Sequence, residues 1–192
     1  MERININNNN FLTGYHTQEY REDSELLFPI KCTMNNAWLG RGYYFWADIE
    51  FAKYWGEDFK VGVRKNGFYN IYSANLEIEN CINAVFDEKH YYFFRNCIEK
   101  AIEYFKSNSI NVNLEQVHEF LLNKFWKENG ITGILYDDLP INPNYKPDRK
   151  YSVIEYRENN RTKHMYYKKR IQIVVFNDEN IHNFACYLEK QC

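Results

Sequence analysis

The chain has 192 residues, of which 45% are hydrophobic and 26% are charged. These proportions are typical of a globular protein, and the length suits one domain over residues 1–192 rather than two. The formal net charge of −2 excludes a strong overall field for nucleic acid or membranes. No apolar run approaches the roughly 18 residues of a membrane span, and residues 1–10 lack the apolar stretch of a secretory signal. We therefore expect a cytoplasmic protein with no membrane partner.

The cysteines favour neither disulfides nor a metal centre. No two of them form a Cys-x-x-Cys motif, and no cysteine and histidine cluster has the spacing of a zinc site. We therefore expect reduced thiols and no bound metal. The chain has five cysteines, which are Cys32, Cys81, Cys97, Cys186 and Cys192.

The first third of the chain predicts two strands and two helices. Residues 11–17 are expected to form a strand, and residues 19–28 a helix that ends near a proline. A Gly-Arg-Gly turn then leads into an aromatic strand that ends at Trp46. Residues 48–55 carry apolar side chains at helical spacing, which predicts a short helix.

The middle of the chain predicts one long strand and two clear helices. Residues 68–78 alternate between two faces, and the more apolar face contains Tyr72, Ala74, Leu76 and Ile78. Residues 88–105 and 114–126 have helical periodicity. Asn113 is placed to cap the second helix, and a following Asn-Gly pair is placed to end it.

The last third predicts mainly strands. Residues 131–136, 151–157 and 170–176 are expected to be strands, with a proline-containing loop at 139–150 and a polar, basic loop between the last two strands. Residues 178–188 are expected to close the chain with a short helix. Strands predominate at both ends and helices in the middle, which favours an α+β fold over alternating βαβ units.

Two segments stand out in a chain that lacks phosphate-binding, nucleophile-elbow, metalloprotease and dinucleotide-binding motifs. The first contains Tyr15-His16-Thr17. The second is Gly40-Arg41-Gly42-Tyr43-Tyr44-Phe45-Trp46, followed by Ala52-Lys53-Tyr54-Trp55. Each segment alone also fits a structural role, since a histidine near a strand end is commonly a packed residue and a Gly-x-Gly run is commonly a turn.

Taken together and in this order, the two segments resemble the ADP-ribosyltransferase family, in the branch of diphtheria toxin and the poly(ADP-ribose) polymerases. That family has Tyr-His-Gly-Thr/Ser on its first strand, then Gly-x-Gly-x-Tyr-Phe, then a helix with Ala-x-x-aromatic. In this chain Thr17 stands where the family has glycine. The resemblance implies an α+β fold in which two packed, mainly antiparallel sheets enclose a cleft for NAD, with helices inserted in the middle.

The resemblance also implies how NAD, as the substrate, is held. His16 would hydrogen-bond the adenosine ribose, and the backbone of Thr17 would hold the nicotinamide carboxamide. Tyr44 and Trp55 would stack on the two faces of the nicotinamide ring, which suits its positive charge. Tyr54 is the alternative to Trp55, because the alignment can slip by one residue. The implied NAD-binding residues are therefore His16, Thr17, Gly42, Tyr44, Tyr54 and Trp55.

The third position of the family's motif is a glutamate on a late strand, and it aligns here with Gln172. Gln172 is expected to hydrogen-bond the 2′-hydroxyl of the nicotinamide ribose, which makes His16, Tyr44 and Gln172 the implied catalytic set. A glutamine lacks the negative charge that stabilises the positive charge developing on the sugar. Glu155 or Glu158 would supply that carboxylate, unless both are solvated surface charges.

The stretch before the strand of Gln172 is rich in basic residues. With Tyr166 and Tyr167 among them, this composition suits the phosphates and bases of single-stranded nucleic acid, although a solvated loop has the same composition. RNA, DNA and protein are therefore all candidate acceptors. The basic residues are Arg157, Arg161, Lys163, His164, Lys168, Lys169 and Arg170.

These observations predict a bacterial or phage-encoded mono-ADP-ribosyltransferase that cleaves NAD and transfers ADP-ribose to an intracellular macromolecule. By analogy, it would act as a toxin, with an antitoxin protein as its partner or with a role in defence against phage. Three alternatives stay open. They are an NAD glycohydrolase, an inactive module that binds NAD or ADP-ribose, and a nucleic-acid-binding protein without chemistry.

Overall fold

The computed structural model describes residues 10–20, 25–33, 37–62, 67–138, 152–158, 161–166 and 169–191. These residues form an α+β fold. Its strands are β1 (Phe11–Glu19), β2 (Tyr43–Trp46), β3 (Tyr69–Glu77), β4 (Cys81–Asn83), β5 (Gly133–Asp137), β6 (Ser152–Glu158), β7 (Arg161–Tyr166), β8 (Ile171–Val175) and β9 (Ile181–Gln191). Its helices are α1 (Ile49–Gly62), α2 (Glu88–Ser107) and α3 (Leu114–Leu121), which continues as a π-helical turn over Leu122–Trp126.

Seven strands form one sheet in the order β4-β5-β8-β2-β1-β3-β9, and β6 and β7 form a separate hairpin. Neighbours in the large sheet are antiparallel, except that β4 and β5 are parallel. The prediction of two separate packed sheets is therefore wrong for the described residues. The physical reason is that β2 pairs with β8 along one edge and with β1 along the other, which joins the two groups of strands.

The large sheet nevertheless curls so that its two halves face each other. Only residues 78–80 separate β3 from β4, although these strands lie five positions apart in the sheet order. In a flat sheet that separation would be about 24 Å, which is more than the roughly 14 Å that so short a connection can span. The enclosed core draws Cys81 and Leu135 from one half and Leu76 and Ile181 from the other, and it includes no helical residue.

The helices cover the outer faces of the sheet. Phe94 and Trp126, from α2 and the π-helical turn, pack on Ile134 and Val174 of the four-stranded half β4-β5-β8-β2. Helix α1 packs separately, with Phe51 in a cluster that includes residues of β2 and β3. Within the described segments, no helix is both long enough and apolar enough to cross a lipid bilayer.

Most of the predicted elements are present. The strands expected at 11–17, 68–78, 131–136, 151–157 and 170–176 correspond to β1, β3, β5, β6 and β8. The helices expected at 48–55, 88–105 and 114–126 correspond to α1, α2 and α3 with its π-helical turn. Asn113 caps α3 through a reciprocal capping box with Gln116, as predicted. In β3, the apolar face that contains Tyr72, Ala74 and Leu76 is buried.

Three predictions of individual elements are wrong as well. Residues 178–188 do not form a helix, because after a 3₁₀ turn at Asp178–Asn180 the chain pairs with β3 as strand β9. Residues 25–28 are not helical, and Glu19 belongs to β1. Residues 161–166 form strand β7 within the segment expected to be a basic loop, since they pair with β6. The loop expected at 139–150 and the start of the chain at 1–9 lie outside the described residues.

Candidate active site

The three residues predicted to be catalytic are distant in sequence but lie on three neighbouring strands. His16 is on β1, Tyr44 on β2 and Gln172 on β8, and β2 lies between the other two. The register places Tyr44 opposite Val174 and Trp46 opposite Gln172. The fold therefore brings the three positions onto neighbouring strands, with the side chains of Tyr44 and Gln172 on one face of the sheet and that of His16 on the opposite face. Their catalytic roles stay predictions.

His16 connects β1 to β2 through its side chain. Its Nδ1 is 2.8 Å from the carbonyl oxygen of Tyr44. Because a carbonyl oxygen can only accept, Nδ1 carries the proton and donates this hydrogen bond. The ring is 7% exposed and lies against the rings of Phe45 and Phe184. His16 therefore points into the core enclosed by the curled sheet.

The other ring nitrogen of His16 is a buried acceptor. Burial lowers the pKa of His16 below its usual value, although the hydrogen bond to Tyr44 and the nearby Gln18 side chain oppose this shift. The ring is then neutral at pH 7, so Nε2 has a free lone pair. Within the described residues, Nε2 is buried and has no hydrogen-bond partner. A hydroxyl group is the kind of donor that would satisfy it.

The side chain of Tyr44 packs on the other side of β2, against the helix-covered core. Its hydroxyl donates to the carbonyl oxygen of Gly40 at 2.7 Å and accepts from the N–H of Leu39 at 3.0 Å. Gly40 has a φ of +92°, a conformation that favours glycine. Burial raises the pKa of Tyr44 well above its usual value. Tyr44 thus holds the Gly-Arg-Gly turn in place with a neutral hydroxyl.

Thr17 and Gly42 both make contacts that explain their presence structurally. The hydroxyl of Thr17 donates to the carbonyl oxygen of Ala52 at 2.6 Å, which ties α1 to β1. Gly42 exchanges backbone hydrogen bonds with Cys32. A Cβ at Gly42 would come within 2.5 Å of a methyl group of Val174. These two positions are therefore packed between neighbouring segments.

Gln172 lies in an aromatic setting. It is 9% exposed, and its register partners are Trp46 on β2 and Tyr136 on β5. Trp38, from the loop before the Gly-Arg-Gly turn, donates its indole N–H to Oε1 of Gln172 at 2.5 Å. The Trp38 ring also meets the ring of Tyr136 edge-on at 5.6 Å. This contact orients the amide so that its NH₂ group points away from Trp38.

The structure does not bring Tyr44 into one cluster with Trp55, its predicted stacking partner, or with the alternative partner Tyr54. Tyr54 and Trp55 lie on α1 and are 37% and 49% exposed. Helix α1 packs through Phe51 and Ala52 against a core of its own, whereas Tyr44 packs against the core under α2 and α3.

A charged pair lies next to Gln172. Arg170, two residues before it, donates to Oδ2 of Asp138 at 2.8 Å. The Arg170 guanidinium lies over the rings of Trp46 and Phe51, at 5.4 Å and 5.8 Å from their centroids. Because Trp46 is the register partner of Gln172, this charged pair and Gln172 lie on the same face of the sheet.

The alternative carboxylates, Glu155 and Glu158, lie on β6. The hairpin register places Glu155 opposite His164 and Glu158 opposite Arg161. Each of these acidic residues is therefore opposite a basic residue, a pairing that reduces the net positive charge expected of the segment before β8.

Sequence analysis did not place five residues around Gln172, although it named Trp46 in the second segment and Arg170 in the basic stretch. They are Trp38, Trp46, Tyr136, Asp138 and Arg170. Trp38 and Trp46 flank the Gly-Arg-Gly segment, and a strand pattern at 131–136 was recognised. The available signal was the clustering of aromatic residues in both segments. This clustering does not reveal the antiparallel register that places Tyr136 and Asp138 beside β8.

Comparisons with protein-family models, with curated proteins and with solved structures gave no match to this chain. The functional argument therefore rests on the chain itself. Among the described residues, no group of three or more His, Cys, Asp or Glu side chains is arranged to hold a metal ion. In the same part of the chain, Cys32, Cys81, Cys97 and Cys186 are free thiols.

Proposed function

We propose that this chain is a mono-ADP-ribosyltransferase that cleaves NAD and transfers ADP-ribose to an intracellular macromolecule. The observation that carries the proposal is that His16, Tyr44 and Gln172 lie on the adjacent strands β1, β2 and β8. These positions come from the three separate motifs on which the resemblance rests. Residues of three distant segments converge here next to a junction where two strands separate.

The backbone of Thr17 is oriented as a carboxamide site requires. Tyr20 donates its N–H to the carbonyl oxygen of Phe68, a hydrogen bond one position beyond Glu19 and Tyr69, the last pair of the β1–β3 register. Hydrogen-bonded pairs alternate along an antiparallel ladder. The backbone N–H and C=O groups of even-numbered residues of β1 therefore point towards β3, and those of odd-numbered residues point towards β2. The N–H and C=O of Thr17 therefore point towards the β1–β2 junction.

That junction opens next to Thr17. In the described part of the chain, the β1–β2 register contains the single pair Tyr15 and Trp46. The carbonyl oxygen of Tyr44, which would otherwise continue the ladder, accepts its hydrogen bond from His16. An amide such as the nicotinamide carboxamide, with one donor and one acceptor, matches an open strand edge of this kind.

The residues present also fit the rest of the substrate. The unpartnered Nε2 of His16 accepts a hydrogen bond from a ribose hydroxyl without a change of charge. Trp38 and Tyr136, beside Gln172, supply aromatic faces for the cationic nicotinamide ring. In this proposal NAD binds at the open β1–β2 junction, with the neutral imidazole on one face of the sheet and the aromatic residues beside Gln172 on the other, and its glycosidic bond lies at the junction.

A second candidate is an inactive module that binds NAD or ADP-ribose. It is favoured by Gln172, whose carboxamide provides no negative charge and whose Oε1 already accepts from Trp38. An NAD glycohydrolase, with water as acceptor, is the remaining enzymatic alternative. The proposed biological role is that of an intracellular toxin with an antitoxin or in phage defence, and it follows from the resemblance.

The experiment that tests the proposal incubates the purified protein with NAD labelled in the adenine, with and without cell extract. Label on a macromolecule supports the transferase, and nuclease and protease treatment then identifies the acceptor as nucleic acid or protein. Free ADP-ribose without a labelled macromolecule supports the glycohydrolase. Bound but unconverted NAD supports the inactive module. A chain that neither binds nor converts NAD contradicts all three.

A further inference from the structure

The site described above has no carboxylate at the position that would stabilise a developing positive charge. Cleavage of the glycosidic bond of NAD sends the bonding electron pair to the nicotinamide nitrogen. The products of this step are neutral nicotinamide and a positively charged ribose, to which water or another acceptor adds with loss of a proton. A nearby negative charge in a water-poor site lowers the barrier to this step. Gln172 is uncharged, so the charge must come from another residue.

We propose that Asp138 is this carboxylate and that Arg170 positions it. The proposal rests on the proposed function, because it assigns a residue to NAD cleavage. Asp138 follows directly after β5, and its N–H donates to the carbonyl oxygen of Arg170 at 2.7 Å. This hydrogen bond continues the register in which Tyr136 lies opposite Gln172. Asp138 and Gln172 are therefore diagonal neighbours on adjacent strands, with Cβ atoms within about 8 Å.

The carboxylate of Asp138 lies on the Gln172 face of the sheet. Its Oδ2 accepts from Arg170 at 2.8 Å, and the guanidinium lies over the ring of Trp46, the register partner of Gln172. Asp138 and Arg170 are 27% and 28% exposed. The carboxylate is thus partly shielded from water and still accessible to a ligand.

Asp138 is better placed for this role than the other acidic residues nearby. Asp137 alternates to the opposite face, where its register partner Ile171 belongs to the enclosed core. Glu155 and Glu158 lie on the separate β6–β7 hairpin, opposite basic residues. Among the acidic residues considered for this role, Asp138 alone shares a face and an adjacent strand with Gln172.

The test compares nicotinamide release and NAD affinity in wild type, Asp138→Asn and Asp137→Asn, with affinity measured by quenching of tryptophan fluorescence. We expect Asp138→Asn to lower kcat about 100-fold while the Kd for NAD changes less than about threefold. Asp137→Asn removes the same charge one residue away and is expected to keep kcat within about threefold. In the Asp138→Asn background, Gln172→Glu returns a carboxylate to the same face and is expected to restore at least about tenfold in kcat.

If Asp138→Asn does not fold, Arg170→Met and Arg170→Met with Asp138→Asn replace it. The double variant removes both partners of the ion pair and leaves no unpaired charge. Its kcat is expected to be about 100-fold below that of Arg170→Met alone. The proposal is overturned if Asp138→Asn binds and cleaves NAD like wild type, or if both asparagine variants lose activity equally. A wild-type chain that neither binds nor cleaves NAD overturns the proposed function itself, and this inference with it.

Discussion

Arg41, in the middle of the Gly-Arg-Gly turn, forms an ion pair with Glu115 in the first turn of α3. Its Nη2 and Nε donate to the same carboxylate oxygen of Glu115 at 2.8 Å and 3.2 Å. Glu115 is 6% exposed, and a carboxylate so buried requires such a partner. The turn that precedes Tyr44 is therefore anchored to the helical layer, and this contact also fixes the loop that carries Trp38.

Loss of the Glu115 carboxylate should therefore weaken the fold. We expect Glu115→Gln to lower the melting temperature clearly, because it removes the buried charged partner of the Arg41 guanidinium. Glu119→Gln is the matched control, since Glu119 lies 3.5 Å from the same arginine but is 43% exposed, where an ion pair contributes little. Thermal unfolding of both variants at low and high salt checks this. Equal losses in the two variants would show that the buried pair has no special role.

His118 should make stability depend on pH. It lies under Gly40 and hydrogen-bonds the backbone of Trp38, but burial lowers its pKa from 6.5 to about 4. Between these values the unfolded chain binds a proton that the folded chain does not, so the free energy of unfolding falls as the pH falls from 6.5 towards 4. The full contribution is roughly 3 kcal/mol, present above pH 6.5.

The measurement is urea unfolding at pH 7.5, 6, 5 and about 4 for wild type and His118→Phe. Phenylalanine keeps an aromatic ring next to Phe94 but cannot titrate. We expect the variant to lose less stability on acidification, with a remaining slope from His16, whose pKa burial also lowers. If the variant loses as much stability as wild type when the pH is lowered, His118 is already protonated in the folded chain.

The elements that the sequence predicted correctly are those whose pattern is local. The alternation in β3, the helical period of α2 and the capping box at Asn113 each depend on residues within a few positions of one another. The segments containing His16 and Tyr44 also stand out locally, because their residues are contiguous, and the resemblance based on them stays a prediction. Their placement on neighbouring strands was consistent with the resemblance but could not be derived from local pattern.

The failures came from long-range pairing. Strand β9 was taken for a helix. Phe184, Cys186 and Leu188 alternate with exposed residues in the structure, but the residues between them are Ala185 and Tyr187, so the sequence of β9 itself shows no period of two. Its partner β3 lies more than a hundred residues earlier, so nothing local favoured a strand. The same reason hid the Arg170 and Asp138 pair. It forms only because the β5–β8 register places the two residues opposite each other.

The hydroxyl of Tyr44 should stabilise the Gly-Arg-Gly turn. The ring packs in the core, so Tyr44→Ala would leave a cavity and weaken the fold. Tyr44→Phe is the better variant. It leaves the Leu39 N–H and Gly40 C=O without their partner, which costs about 1–3 kcal/mol. Tyr43→Phe, at a half-buried position, is expected to change stability by less than about 0.5 kcal/mol, and chemical denaturation compares the two.

Thr17 should act through its backbone rather than its side chain. Thr17→Val removes the hydrogen bond to Ala52 and is expected to cost about 1 kcal/mol of stability while NAD binding stays intact. Thr17→Pro removes the N–H that points towards the β1–β2 junction, without removing a hydrogen bond to β3. We expect it to weaken NAD binding about tenfold or more.

Thr13→Pro is the matched control for this experiment. Thr13 is also odd-numbered on β1, so its N–H has the same orientation relative to β3. It therefore reproduces the general effect of proline on the strand. NAD affinity measured by calorimetry should separate the two variants, and equal weakening in both would place the carboxamide elsewhere.

Gln172 should act as a hydrogen-bonding group of the site, oriented by Trp38. Gln172→Ala removes the amide and is expected to lower NAD cleavage at least about tenfold, which corresponds to roughly 1.4 kcal/mol. Gln172→Glu keeps an oxygen that accepts from the Trp38 indole N–H, so it should retain more activity than alanine.

Trp38→Phe keeps an aromatic ring beside Tyr136 but loses the indole donor. It is expected to lower kcat/KM less than Gln172→Ala does, because the amide remains but is no longer oriented. Steady-state nicotinamide release from the three variants, with melting temperatures as the folding control, tests this order. Full activity in Gln172→Ala would show that β8 is not part of the site. The third motif position would then have to lie on the β6–β7 hairpin.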